Sequence, residues 1–144
     1  MKYEKEMNVY LSNLAILNAK VHGLHWNVKG KEFVRIHLFT EDIYEEFLNY
    51  YDDVAELMKM KEADPIINYK DYLKNATIKE VSKKSFTIDE VLKTLKSDLE
   101  EMLKAAAEIR ELADKANDYS IVATMEDHIK NYEKHLWFVK SIMG

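Results

Sequence analysis

Four stretches of helical periodicity, joined by a short, a long and a short connection, constrain this sequence more tightly than any other feature. In the first, apolar residues recur every three or four positions at Met7, Leu11, Leu14, Leu17, Val21 and Leu24, which predicts a helix from about residue 4 to 28. Asn27 to Lys31 breaks the pattern, with Gly30 as the natural stop. A second helix is expected from about 33 to 61, with Ile36, Ile43, Phe47, Tyr50, Val54 and Leu57 on one stripe. Thr87-Ile88-Asp89-Glu90 reads as a capping box, in which the Thr hydroxyl and the Glu carboxylate satisfy free backbone N–H groups. It opens a third helix carrying Val91, Leu95, Leu99, Met102, Ala106, Ile109 and Leu112. Asn117-Asp118 interrupts, and a fourth helix runs on through Val122, Met125, Ile129, Tyr132, Leu136 and Val139. Only 3 glycines and 1 proline occur in the whole chain, as long helices with few turns require.

The connections decide how those helices pack. Links one–two and three–four are short, so each pair is expected to form an antiparallel hairpin. The stretch from Lys61 to Phe86, about 25 residues, is too long for a bundle turn and long enough to cross the length of the bundle. A short helix is expected on the way, over Tyr69 to Ala76. Two hairpins joined by one long crossover is the ferritin-like arrangement. The expectation is a single all-α domain over residues 1–144. The chain has no Cys, which excludes a disulfide framework, a thiolate metal site and a thiol nucleophile. Its net charge of −5 argues against a nucleic-acid groove. No signal-like apolar run opens the sequence, and no segment approaches the length of a membrane span, so a cytoplasmic location is expected.

Chemistry concentrates around the first hairpin. His25 lies five residues before Gly30 and His37 seven after it, so an antiparallel hairpin brings both to one end. Taking about 100° per residue from His37, Glu41 is offset by about 40°, Asp52 by about 60° and Glu56 by about 100°. These acids share a sector with the histidine. Asp42 and Asp53, at about 140° and 160°, look like ordinary exposed acids. Yet His37 and Asp52 are fifteen residues apart on one helix, about 22 Å at 1.5 Å per residue, and one chain cannot bring them to the same ion.

A second stripe on the same helix suggests how two chains could. Tyr44, Leu48, Tyr51 and Ala55 fall within about 40° of His37, away from the main apolar stripe. A two-fold axis near residues 44 to 48 would bury this stripe. It would also carry His25 and His37 of one copy to Asp52 and Glu56 of the other. Two imidazoles with two or three carboxylates suit iron, manganese or zinc better than magnesium or calcium. Trp26 would be an oxidisable ring beside the metal. Taken singly, a helix-end histidine more often caps carbonyls and an exposed acid is ordinarily solvated; the shared sector and two-fold geometry are what join them. His22, His128 and His135 have no such support and read as surface or core residues. No Glu-x-x-His motif occurs, which argues against a metal site at the centre of a single bundle.

The pattern His22-Gly23-Leu24-His25-Trp26-Asn27-Val28-Lys29-Gly30, then Phe33, Ile36-His37, Tyr44 and Asp52-Asp53-Val54-Ala55-Glu56, resembles the Dps family, the miniferritins. Asp64-Pro65, Tyr72-Leu73 and Ala76-Thr77-Ile78 resemble that family's crossover, and Glu133 to Trp137 its last helix. The resemblance implies a hollow dodecamer that oxidises Fe(II), typically with hydrogen peroxide, and stores ferric mineral inside. Its ferroxidase ligands map onto His25 and His37 from one subunit and Asp52 and Glu56 from the two-fold mate. Glu41 falls where the family has a further acid, usually Asp, and Trp26 matches the tryptophan beside the first histidine. The family's acidic iron-entry pore would map to Asp118, with Asp114 and Glu126 near it. The resemblance also raises a DNA-binding tail, but Lys2 and Lys5 alternate with Glu4 and Glu6, which argues against one. The rival readings are a non-catalytic zinc- or manganese-buffering protein and a DNA-compacting protein of the same fold.

Overall fold

The computed structural model describes residues 1–144 and consists almost wholly of helices. In chain order these are α1 (Glu4–Asn27), the two-residue strand β1 (Val28–Lys29), α2 (Phe33–Met60), the short α3 (Tyr69–Asn75), β2 (Phe86–Thr87), α4 (Ile88–Lys115) and α5 (Tyr119–Met143). α1 packs along α2 and α4 along α5, as two hairpins, and the long crossover joins them. The direction of that crossover is fixed by a small device. β1 and β2 pair in parallel, Val28 opposite Phe86 and Lys29 opposite Thr87. The start of α4 therefore lies beside the start of α2, and the chain between must travel back along the whole bundle.

Local chemistry sets the helix ends. Thr87 Oγ1 accepts from Glu90 N at 3.1 Å while the Glu90 carboxylate takes the Thr87 N–H, so the expected capping box opens α4. Asn117 adopts φ 60° between α4 and α5, and Asp118 N donates to Ala113 O at 2.9 Å. An Asn tolerates this left-handed turn where most residues do not.

Two buried or half-buried asparagines of α1 hold the crossover. Asn8 Oδ1 accepts from Ile66 N at 2.8 Å, and Asn13 Oδ1 accepts from Thr77 N at 2.8 Å and Ile78 N at 3.0 Å. These bonds satisfy strand-less backbone that would otherwise be stranded against the bundle. α3 is capped by Asn68 and packs against α1 through buried Tyr72.

The apolar stripes of all four long helices meet in one core. Burial of each large side chain there contributes about 1.5–3 kcal/mol. The interior is also polar in one place. Tyr10 Oη lies 2.8 Å from His128 Nδ1 and 2.6 Å from Tyr132 Oη, and the His128 ring stacks on Tyr50 at 3.5 Å. The Tyr50 hydroxyl donates to Glu46, which also meets His135. No helix is long and apolar enough to cross a membrane.

The second stripe of α2 is partly covered within the chain. Tyr44 stacks on His22 at 3.7 Å, and the Tyr51 and Tyr72 hydroxyls meet at 2.5 Å. The sequence pattern suggests a partner copy as the cover for both; an α1 imidazole and the crossover helix reach them first. Leu48 stays 49% exposed.

Candidate metal centre

The two histidines meet at the hairpin end as expected. His25 lies in the last turn of α1 and is 4% exposed; His37 lies in the second turn of α2 and is half-buried. Their rings stack with centroids 3.6 Å apart and planes 14° apart. Each ring is also bonded to the other's main chain: His25 Nδ1 donates to His37 O at 2.6 Å, and His37 Nδ1 donates to His25 O at 2.9 Å. A carbonyl can only accept, so Nδ1 of each ring carries a proton, and Nε2 is the nitrogen left to offer a lone pair. This is how a metal-ligating histidine is held by its surroundings.

Thr40 completes the lock. Its hydroxyl donates to Ile36 O at 2.8 Å and its oxygen lies 3.1 Å from His25 Nδ1. Burial holds the His25 pKa below the ordinary imidazole value, which keeps the ring neutral and able to bind a cation.

An aromatic shell surrounds the pair. Phe33 stacks on His37 at 5.1 Å, and Tyr44 stands edge-on to His25 at 5.1 Å. Burial raises the Tyr44 pKa, and the Glu41 charge adds to the rise. Glu41 is half-buried, and its charge acts on His25 too. Trp26 packs on His22 at 5.4 Å and is 67% exposed, so its ring lies on the surface side of the histidines.

The acids form a separate group further along α2. Carboxylate oxygens of Asp52, Asp53 and Glu56 lie within 4.8 Å of one another, all on exposed residues. Asp53 is an addition. Helical projection set it aside because it treats each side chain as a radial spoke, but Glu56 is four residues beyond Asp52 and three beyond Asp53, and its long side chain reaches both. No histidine joins this group, so the candidate ligands form two separate groups, an imidazole pair where α1 meets α2 and an acidic group further along α2.

The three residues mapped to a pore are engaged with cations. Asp118 accepts from Tyr3 Oη at 2.6 Å and pairs with Lys61 at 3.2 Å; the Tyr3 bond chiefly holds its carboxyl below the usual range. Arg110 sits between Asp114, at 3.7 Å, and Glu126, at 3.2 Å. Sequence reasoning missed these partners, and it missed the reciprocal histidine–carbonyl lock. The lock's one sequence signal was a Thr three residues after His37, on the buried face.

Four long helices with a full-length crossover, a stacked imidazole pair where α1 meets α2 and a carboxylate group further along α2 define a ferritin-type protein. Comparison with known proteins agrees. A family model described as a ferritin-like domain matches residues 4–144, and the chain belongs to that family. Within it, the similarity is to Dps proteins. A DNA protection during starvation protein of Helicobacter pylori is 32% identical over 126 residues, covering 88% of each chain. Among solved structures, Helicobacter cinaedi CAIP superimposes with a TM-score of 0.95 at 34% identity, over 98% of this chain and 99% of that one. A Dps protein from Vibrio cholerae O1 gives 0.94 at 30% identity, over 99% and 89%; it is described as a member of a broad superfamily of ferritin-like diiron-carboxylate proteins.

Proposed function

We propose that this protein oxidises Fe(II) and stores the ferric product, in a dodecameric shell built from two-fold dimers. The observation that carries the reading is the division of the ligands. A locked imidazole pair at one end of α2 offers two free Nε2 atoms. An acidic group about 22 Å along the helix offers oxygens and has no nitrogen partner. An antiparallel copy across exposed Leu48 would bring each half to its complement. His25 and His37 would then hold the ferrous substrate with Asp52 and Glu56 of a second copy. Glu41 would add a further carboxylate at the imidazole end, and Trp26 an oxidisable ring nearby.

The donor set fits iron. Hard carboxylates favour the ferric product, neutral imidazoles retain the ferrous substrate, and zinc or manganese would compete for the same atoms. When one peroxide takes one electron from each of two ferrous ions, no hydroxyl radical is released. That supports a protective role for the chemistry. Asp118, Asp114 and Glu126 would line the entry path only weakly, since Lys61 and Arg110 offset their charge. Net acidity and the alternating N-terminal charges oppose binding to DNA phosphates, and no gel shift is expected at moderate salt.

Two measurements test the proposal. Anaerobic loading with Fe(II) followed by peroxide should give a rapid ferric absorbance; iron left in the ferrous state would defeat it. Assembly mass tests the geometry, because a monomer in solution would leave every site half-built.

A further inference from the structure

The hairpin tip between His25 and His37 is tied to a different part of the bundle. Val28 and Lys29 pair with Phe86 and Thr87, and one step further the same register brings Gly30 beside Ile88, the first residue of α4. A Cβ on Gly30 would lie 3.0 Å from Ile88 Cγ1 and 3.6 Å from its Cδ1. Gly30 also has φ +145°, a conformation L side chains rarely adopt. Its carbonyl accepts from Phe33 N at 3.1 Å, the bond that turns the chain into α2. Gly23, on α1 close to the same histidines, shows the contrast: a Cβ there would meet nothing within 4 Å.

The ring pair lies directly behind this closure, on the two helices that the tip joins. Each histidine bonds the other's backbone carbonyl, so the approach of α1 to α2 at the tip determines how the rings stack. We infer that Gly30 is a positioning residue of the centre: by letting the hairpin tip close onto Ile88, it sets the helix spacing at which His25 and His37 lock to each other. A glycine at the end of a ladder, with a positive φ, suits such a close approach. The consequence for iron rests on the function proposed above; the consequence for ring spacing does not.

The test uses the whole assembled protein with Gly30→Ala, Ile88→Ala and the double variant. Crystals of Gly30→Ala should show the rings separated beyond 3.6 Å. Anaerobic titration should show ferrous half-saturation raised about tenfold, with the oxidation rate at saturating iron held within about twofold. Ile88→Ala alone should bind iron normally. Combined with Gly30→Ala, it should recover part of the affinity, because the steric contact is gone and only the φ preference remains. If Gly30→Ala fails to fold while the double variant folds, the contact with Ile88 is still the cause. The inference is overturned by native ring spacing in Gly30→Ala, by failure of both variants to fold, or by unchanged ferrous affinity where His37→Ala loses it. If His37→Ala also keeps its affinity, the ligand assignment fails, and the ring spacing alone then decides the role of Gly30.

Discussion

The two ends of α2 carry the two halves of the proposed centre, and they are built differently. At the N-terminal end, His25 and His37 are stacked, bonded to each other's carbonyls and braced by Thr40. Toward the other end, Asp52, Asp53 and Glu56 stand in solvent and lean on nothing but each other. The imidazole half is organised before any ion arrives, so little ordering is lost on binding. The carboxylate half must be organised by the ion and by whatever covers Leu48. Nitrogen donors need one tautomer and one direction, whereas a carboxylate can offer either oxygen over a wide range of angles. In the proposed centre, a rigid half would face an adaptable half, which suits a substrate that changes charge while bound.

The largest way to break this contrast is to remove either half. His37→Ala and Asp52→Ala should each lower the rate of peroxide-driven iron oxidation at least about a hundredfold. Co-assembly of the two inactive variants should restore a fraction of it, because a mixed dimer keeps one intact site. Proven mixed dimers without activity would place all ligands in one chain.

A second buried imidazole asks whether the pKa depression seen at His25 belongs to that end of the bundle alone. His128 sits in the core among Tyr10, Tyr50 and Tyr132, and burial holds its pKa down to about 4. An unfolded imidazole titrates near about 6.5. Between those values the unfolded chain binds more protons than the folded one. Stability is therefore full above about pH 6.5 and falls as the pH drops toward 4, by about 3 kcal/mol. Chemical denaturation at a series of pH values should show that slope, and His128→Phe should flatten it.

Thr40→Val sharpens the comparison on a smaller scale. Losing the hydroxyl should weaken ferrous binding by up to about tenfold and cost about 1 kcal/mol of stability, read by titration and by denaturation. Asp53→Asn tests the adaptable end. With Asp52 and Glu56 left in place, the affinity should change by less than about threefold, a shift of under about 1 kcal/mol. A larger loss would make Asp53 a ligand of equal standing.

The helices were legible in the sequence because periodicity, the Thr87–Glu90 box and the Asn117 turn are local signals that the burial of one face preserves. The crossover was legible as a length between periodic stretches, and the separation of the candidate ligands as a helical rise. Asn8 and Asn13 gave no hint that they pin the crossover, since their partners lie 58 to 65 residues away. Periodicity likewise cannot report that Tyr44 and Tyr51 are met by His22 and Tyr72, that Arg110 holds Asp114 and Glu126, or that Gly30 faces Ile88. By itself, the sequence determined the ferritin-type topology and nominated the candidate metal ligands, through spacing along single helices. Only the tertiary structure decided which nitrogen each histidine leaves free, because that depends on carbonyls contributed by a neighbouring helix.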